Sequence, residues 1–322
     1  MKKLKCLLTI LALMTTCTAV FAAEERPPEN DPESQPLQNK ISLESILNSS
    51  KSLQNLQTKE IIQQLKDKTP QDPGVEEMVV ELERRAEKED AVAMNAMASA
   101  YIQGKFVEKN PYKAENFFLG AARVGDNAES AVACLNLYGL KRQDPNKPTE
   151  ESMAWLLKGA SRGNAKAQFN LGNCYHFGIG VTKDLVEAAR WYTEAADQGD
   201  VWAQDNLGFF YKKGIGVTKD LEKAAQWFAK AAVQGDARAQ NNLGVCYEFG
   251  SGVTKDLVKA AQWYATAADQ GNAKAQNNLG DCYRKGSGVT KSKEKALESY
   301  TKAAAQGHER ARQAIENMKE SE

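Results

Sequence analysis

Apolar residues between Ala165 and Gly199 follow two helical stripes separated by a glycine-containing turn. The first stripe, helix A, contains Ala167, Leu171, Cys174 and Tyr175, whose spacing places them on one side of a helix. The second stripe, helix B, contains Leu185, Ala188, Ala189, Tyr192, Ala195 and Ala196. Gly178 and Gly180 suit the positive φ of a helix end and tight turn. Asp184 is the predicted N-cap of helix B, and Gly199 follows its end.

The same pair of stripes recurs every 36 residues from Asn170 to Gln313. The clearest markers are two series, Gly172, Gly208, Gly244, Gly280 and Tyr175, Tyr211, Tyr247, Tyr283. A fixed period of this size indicates stacked helical units that bury their apolar faces against one another. Glycine inside a helix costs roughly 1 kcal/mol relative to alanine, so the recurrence of Gly172 predicts a very close neighbour.

The repeated string also resembles a known family. Residues 167–183 read A-Q-x-N-L-G-x-x-Y-x-x-G-x-G-V-T-K, and residues 188–192 read A-A-x-W-Y, which is similar to the Sel-one-like repeat. That family is related to the tetratricopeptide repeats, so the resemblance implies an all-α, right-handed solenoid of antiparallel helix pairs. It also implies a protein-interaction scaffold that needs no cofactor.

The repeat markers divide the chain into six units, the first two of them diverged. The predicted repeats are 96–131, 132–169, 170–205, 206–241, 242–277 and 278–313, and the second has about two extra residues in its loop. A helical pattern over 75–95 predicts an N-terminal capping helix, and residues 309–322 predict a C-terminal one. Residues 23–74 contain many prolines and polar residues, which predicts a linker that is disordered or partly helical.

Residues 1–22 have the features of a secretory signal peptide. Three lysines precede the apolar stretch Leu7–Met14, and Val20, Phe21 and Ala22 form a small-x-small cleavage site. We therefore expect export, a mature chain that begins at Ala23, and a periplasmic or extracellular location. An uncleaved membrane anchor and a lipoprotein attached at Cys17 are the alternatives, although the apolar stretch is short for a membrane span.

Charge and histidine content narrow the classes of ligand that the chain could bind. The 322 residues include 42 Lys and Arg against 42 Asp and Glu, which argues against nucleic acid as the partner. His176 and His308 lie in repeats that do not touch, so we expect surface positions and no metal site.

Beyond the signal peptide the chain has Cys134, Cys174, Cys246 and Cys282. Neighbouring helices pack about 8 to 10 Å apart, too far for a disulfide, so buried free thiols are expected.

An enzyme is the main alternative to a scaffold. The resemblance extends to cysteine-rich Helicobacter repeat proteins, some of which are described as weak β-lactamases or penicillin binders. This chain has Ser-x-x-Lys at 292–295 and at 299–302, but neither the paired cysteines of those relatives nor the other β-lactamase motifs. The sequence therefore favours a non-enzymatic protein.

Comparison of the repeats predicts where a partner binds. A second stripe of helix A differs between copies, whereas the apolar stripe does not, and the resemblance places helix A on the concave surface. The predicted partner-binding residues are Trp202, Phe209, Phe177, Phe249, Lys212, Asn206 and Asn242. Trp202 is the strongest candidate, with packing over the adjacent loop as its alternative.

The remaining series have packing as an alternative to binding. The asparagines could bind a peptide backbone or satisfy carbonyls between helices. The recurring Trp155, Trp191, Trp227 and Trp263 are interpreted as packing residues of helix B. The expected partner is a protein or peptide, for example in a bacterial envelope complex or in a host, and a purely structural spacer is the remaining alternative.

Overall fold

The computed structural model describes residues 53, 56–142, 144 and 147–320, which all belong to one compact unit, Ser49–Glu322. The predicted signal peptide 1–22 and residues 23–52 of the predicted linker lie outside the described residues. Two helices come first, α1 (Thr58–Leu65) and α2 (Val75–Ala86). Six helix pairs follow, here called repeats 1 to 6, and each pair consists of a helix A and a helix B.

Repeat 1 contains α3 (Ala91–Gln103) and α4 (Pro111–Ala121), and repeat 2 contains α5 (Ala128–Lys141) and α6 (Glu150–Ser161). Repeat 3 contains α7 (Ala165–Phe177) and α8 (Leu185–Asp197), and repeat 4 contains α9 (Val201–Lys213) and α10 (Leu221–Val233). Repeat 5 contains α11 (Ala237–Phe249) and α12 (Leu257–Asp269), and repeat 6 contains α13 (Ala273–Lys285) and α14 (Lys293–Ala305). Helix α15 (Glu309–Glu320) ends the described stack.

Each helix packs chiefly against the helices before and after it in sequence, as expected for a repeat solenoid. The predicted all-α solenoid of helix pairs is confirmed. The predicted N-cap and glycine turn of repeat 3 are present as well. The Asp184 carboxylate accepts hydrogen bonds from the backbone amides of Val186 at 2.9 Å and Glu187 at 3.0 Å. Gly178 and Gly180 have φ of 72° and 71°, in the left-handed region that glycine adopts without strain.

The recurring glycine of helix A lies against an aromatic ring of helix B. A Cβ at Gly172 would lie 2.7 Å from Tyr192 Cδ1, and a Cβ at Gly244 would lie 2.6 Å from Tyr264 Cε1. These rings are fully buried. The close neighbour predicted from the sequence is therefore the ring that fills the centre of each repeat, and a larger residue at the glycine would displace it.

A buried glutamine in helix A links successive repeats. The Gln240 amide donates to the Ala232 carbonyl oxygen at 3.1 Å, and the Gln270 amide donates to the Gln240 side-chain oxygen at 2.8 Å. The same two bonds recur around Gln168, Gln204 and Gln276. Each glutamine thus satisfies a carbonyl at the end of the preceding helix B, which is a polar contribution that the apolar pattern did not reveal.

The N-terminal end of the stack begins earlier than the predicted cap. Helix α1 lies within the predicted linker, and its Ile61 and Leu65 are buried. Arg85 of α2 holds this segment by donating to the carbonyl oxygens of Leu53 and Leu56 at 3.0 and 2.7 Å. Residues 75–95, predicted as one capping helix, contain all of α2 and the start of α3, because the Asp90 carboxylate caps a new helix.

At the other end, α15 begins at Glu309, within the predicted cap 309–322. Its Ala311 and Met318 are buried in the cluster that contains Tyr300 of α14. Polar and charged side chains occupy its exposed positions, so α15 closes the apolar face of repeat 6.

Candidate partner-binding face

The side chains that differ between repeats lie on one side of the A helices, here called the helix A face. They occupy the second, fifth, ninth, twelfth and thirteenth positions of α7, α9, α11 and α13. The residues are Lys166, Phe169, Asn173, His176 and Phe177; Trp202, Asp205, Phe209, Lys212 and Lys213; Arg238, Asn241, Val245, Glu248 and Phe249; Lys274, Asn277, Asp281, Arg284 and Lys285. Four of its large apolar side chains are exposed, Trp202 by 48%, Phe209 by 42%, Phe177 by 63% and Phe249 by 67%, whereas Phe169 and Val245 are half-buried.

Trp202 belongs to an aromatic cluster that extends from the surface to the core. Its ring lies 5.9 Å from the ring of Phe169 on the preceding helix A, and Phe169 lies 6.0 Å from Tyr192. His176 completes the cluster, with ring centroids 4.2 Å from Phe177 and 5.0 Å from the buried Phe210. Trp202 therefore packs against Phe169, which connects it to the buried Tyr192. Among the described rings, Phe209 and Phe249 lie outside this cluster.

The prediction that both histidines lie on the surface is wrong. His176 is half-buried, and its Nδ1 lies 3.2 Å from the Tyr192 hydroxyl, which donates to Asn173 Oδ1 at 2.7 Å. Burial, followed by the charge of Lys183, lowers the pKa of His176, which favours the neutral ring. His308 is also half-buried, at the start of α15. Within the described ranges, no group of three or more His, Cys, Asp or Glu side chains could hold a metal ion.

The fifth position of the helix A face is buried, which corrects the expectation that the whole stripe is a surface. Asp205, Asn241 and Asn277 are exposed by only 6%, 7% and 3%. Asn242 donates from its amide to Asp205 Oδ1 at 2.9 Å, and Asn278 donates in the same way to Asn241. The asparagines were expected either to bind a peptide backbone or to form hydrogen bonds between helices. Asn242 forms a hydrogen bond to a neighbouring helix. Asn206 lies beside the Tyr192 hydroxyl and is half-buried.

Repeat 4 differs from its neighbours in the contact made by the twelfth position. In repeats 3, 5 and 6 this residue reaches the hydroxyl of a helix B tyrosine, as in the 2.6 Å bond that Tyr264 donates to Glu248. Repeat 4 has Phe228 at that site, so no hydroxyl is available to Lys212. Phe209 likewise replaces the Asn173 or Asp281 that accepts a tyrosine hydrogen bond in repeats 3 and 6. The exposed Trp202 and Phe209 and the half-buried Lys212 therefore lie together on a repeat whose helix B ring has no hydroxyl.

A groove of about 460 Å³ lies further along the same face, between α11, α13 and α15. Val245 and Phe249 of α11 form its apolar side, whereas Lys274 and Lys285 of α13 and Arg310 of α15 contribute positive charge. Comparison of repeats identified most of these positions as variable. It did not include Arg310, because α15 is not one of the four A helices that were compared.

Neither Ser-x-x-Lys pair has the geometry of a nucleophile and its base. Ser292 accepts a hydrogen bond from the Lys295 backbone amide and caps α14. The buried Ser299 donates to the Lys295 carbonyl oxygen at 2.9 Å, and Lys302 is paired with Glu298 at 2.7 Å. Both hydroxyls therefore serve helix α14.

The four cysteines within the described residues are free and buried, as predicted. Burial raises the pKa of all four thiols, and that of Cys282 reaches about 11, because the nearby Glu248 and Asp281 carboxylates add to the effect. They are therefore protonated core residues and poor nucleophiles.

The repeats of this chain match a known family. The Sel1 repeat model matches six consecutive segments, 91–126, 127–164, 165–200, 203–236, 237–272 and 273–308. The chain belongs to the Sel1 repeat family. Sel1 repeats typically form non-enzymatic scaffolds for protein interaction, which indicates protein partners. Each matched segment starts near the first residue of a helix A, about five residues before the divisions predicted from the markers.

Solved structures of Sel1 repeat proteins have the same architecture. The protein c5321, a protective antigen of uropathogenic Escherichia coli with an SLR fold, is 30% identical over 85% of the chain, with a TM-score of 0.70. This Sel1 chain spans 58% of the length of c5321. A Sel1 repeat protein from Oxalobacter formigenes is 32% identical over 77% of the chain and 99% of its own length, with a TM-score of 0.62.

No curated protein matches the chain. In the part of this Sel1 protein that the structure covers, no helix is both long enough and apolar enough to cross a membrane.

Proposed function

We propose that the chain is a secreted or periplasmic interaction scaffold that binds a protein or peptide partner on its helix A face, the concave surface expected for this family. The observation that carries the proposal is the exposed Trp202, which packs on an aromatic cluster that extends into the core. An exposed tryptophan supported by other rings presents a large rigid area to a partner, at a small cost in side-chain entropy. The face varies between repeats, whereas the apolar stripe that holds the stack together recurs.

Crosslinking in the native cells tests the proposal. The chain is expressed there as wild type and as the double variant Trp202→Ala and Phe209→Ala, and captured proteins are identified by mass spectrometry. We expect at least one captured protein to be lost from the variant, because truncation of a buried aromatic anchor typically costs about 2 kcal/mol or more of binding free energy.

A matched control uses exposed apolar residues elsewhere. Val233 and Val258 lie on B helices and are 78% and 54% exposed. The double variant Val233→Ala and Val258→Ala should capture the same proteins as the wild type. If the aromatic variant also captures an unchanged set, the chain is a spacer and the proposal is wrong.

We further propose that residues 1–22 direct export. The features that support this proposal are the basic start, the apolar stretch and the cleavage site of the sequence. The description of the Escherichia coli relative as a protective antigen also supports a location outside the cytoplasm. Cell fractionation followed by N-terminal sequencing should find a mature chain that begins at Ala23. A chain retained in the cytoplasm with Met1 intact would contradict the proposal.

A further inference from the structure

The helix A face carries an excess of positive charge, although the whole chain has as many acidic as basic residues. The cations of this face are Lys166, Lys212, Lys213, Arg238, Lys274, Arg284 and Lys285, and Arg310 of α15 lies beside them in the groove. The anions of the face are Asp205, Glu248 and Asp281. The excess is therefore a local property, and a ligand on this face meets a positive potential.

The three anions are held by groups of the protein itself. Asp205 is buried, accepts from Asn242, and lies 3.6 Å from Arg238. Asp281 accepts from the Tyr300 hydroxyl at 2.7 Å and pairs with Arg284 at 2.9 Å.

Glu248 accepts from the buried Tyr264 hydroxyl. By contrast, no carboxylate in the described part of the chain forms an ion pair with Lys212, Lys213, Lys274, Lys285 or Arg310. These cations are the ones available to a partner.

We infer that the partner bound by the helix A face is an acidic peptide segment that also carries apolar side chains. The inference rests on the proposed function and specifies the chemistry of its partner. Carboxylates pair with Lys274, Lys285 and Arg310 in the groove, whose opposite side is formed by Val245 and Phe249. An apolar side chain further along the peptide packs on Trp202. Lys212 of α9 and Arg238 of α11 extend the positive charge from Trp202 toward the groove.

The length of the segment follows from the spacing of the helices. Successive A helices are about 10 Å apart, so α9 and α15 are separated by about 30 Å. An extended peptide advances about 3.3 Å per residue, so about nine residues span the distance from Trp202 to Arg310.

Fluorescence anisotropy with labelled peptides tests the inference. The probe is a dodecapeptide in which Asp and Glu alternate with Leu and Phe, and the comparison peptide has Lys in place of every acidic residue. We expect the acidic peptide to bind at least about tenfold more tightly than its Lys counterpart. Raising NaCl from about 50 to 300 mM should weaken its binding several-fold, because salt screens exposed charges.

Charge reversal assigns the site. The variant Lys274→Glu, Lys285→Glu and Arg310→Glu should lose at least about tenfold in affinity for the acidic peptide and gain affinity for the Lys peptide. The control variant Lys223→Glu, Lys230→Glu and Lys259→Glu changes the net charge equally, at exposed residues of the B helices α10 and α12. It should bind the acidic peptide within about twofold of the wild type, and thermal unfolding of both variants confirms that they fold.

Several results would overturn the inference. Equal binding of the acidic and Lys peptides would show that charge does not select the partner, and an equal loss in both triple variants would show that the site lies elsewhere. A single-stranded oligonucleotide of the same charge that binds as tightly would indicate a nucleic-acid ligand. A wild-type chain that sediments as a dimer, and that the groove variant converts to a monomer, would identify a second copy as the occupant.

The proposed function can survive these results. If the Trp202→Ala and Phe209→Ala variant loses a captured protein while the acidic peptide does not bind, the face is a binding site for a partner of different chemistry. If both experiments fail, the proposed function fails with the inference.

Discussion

At the scale of single residues, space and charge inside each repeat constrain the sequence more tightly than helix propensity does. The clearest example is the glycine of helix A, which a propensity scale disfavours and which every one of repeats 3 to 6 retains. Its missing side chain is the space that the helix B ring occupies. Any substitution must therefore be judged by the ring it meets.

Gly244→Ala should destabilise the chain by about 2 to 3 kcal/mol. The new methyl group would lie 2.6 Å from Tyr264, whose ring is fully buried and whose hydroxyl is held by Glu248, so the ring cannot move without breaking other contacts. Gly139→Ala is the matched control, because Gly139 is also in a helix A and a Cβ there meets nothing within 4 Å. It should stabilise by about 0.5 to 1 kcal/mol. Urea unfolding measures both, and a Gly244→Ala variant as stable as the wild type would contradict the packing.

Asp205→Asn should raise the melting temperature at pH 7. Burial raises the pKa of Asp205, which the Asn242 hydrogen bond and the Arg238 charge oppose. The folded state therefore binds this proton more tightly than the unfolded state does, and stability falls as the pH rises from the unfolded pKa of about 4 through the folded value. Asparagine keeps an acceptor for Asn242 and removes the ionisation; repeats 5 and 6 already have Asn241 and Asn277 at this site.

Thermal unfolding between pH 3 and pH 8 tests this prediction. The gain over the wild type should be largest near pH 7 and should shrink as the pH falls below the unfolded pKa. A variant that is less stable at pH 7 would mean that the Arg238 ion pair outweighs the burial of the carboxylate.

At the scale of helices, the sequence predicted most of what depends on periodicity. The apolar stripes, the glycine turns and the caps at Asp184 and Ser292 follow local rules, so helices α7 to α14 were predictable. Helix α1 was harder, because its eight residues lie among prolines and its burial depends on contacts with α2. The variable stripe was predicted as one surface, but its fifth position turns inward, since periodicity does not show where the neighbouring A helices meet.

The glutamine contacts between repeats should be a measurable part of stability. Gln240→Met preserves side-chain length but leaves the Ala232 carbonyl oxygen and the Gln270 amide without the bonds that Gln240 supplies. We expect a loss of about 1 to 3 kcal/mol, the cost of leaving a buried polar group unsatisfied. Gln262→Met is the control, because Gln262 is exposed on α12, and its effect should be within about 0.5 kcal/mol. Equal effects of the two substitutions would show that the buried bonds add nothing.

At the scale of the whole molecule, the stack is a one-dimensional series in which each helix contacts mainly its sequence neighbours. In such a protein, stability is approximately a sum of repeat terms and interface terms, so one damaged repeat can open while distant repeats stay folded. The four buried thiols provide a reporter in repeats 2, 3, 5 and 6. Each can be alkylated only when its own repeat opens, because burial protects it and raises its pKa in the folded state.

Gly244→Ala should therefore produce a gradient of alkylation along the chain. The variant disturbs repeat 5, so Cys246 should be alkylated up to about a hundredfold faster than in the wild type, the factor that corresponds to a loss of about 3 kcal/mol. Cys282, in the adjoining repeat, should accelerate less, Cys174 less again, and Cys134 least. Pulsed iodoacetamide labelling at pH 8 followed by peptide mass spectrometry measures all four rates in one sample. Equal acceleration at every thiol would mean that the repeats open only together, and the nearest-neighbour description of the stack would then be wrong.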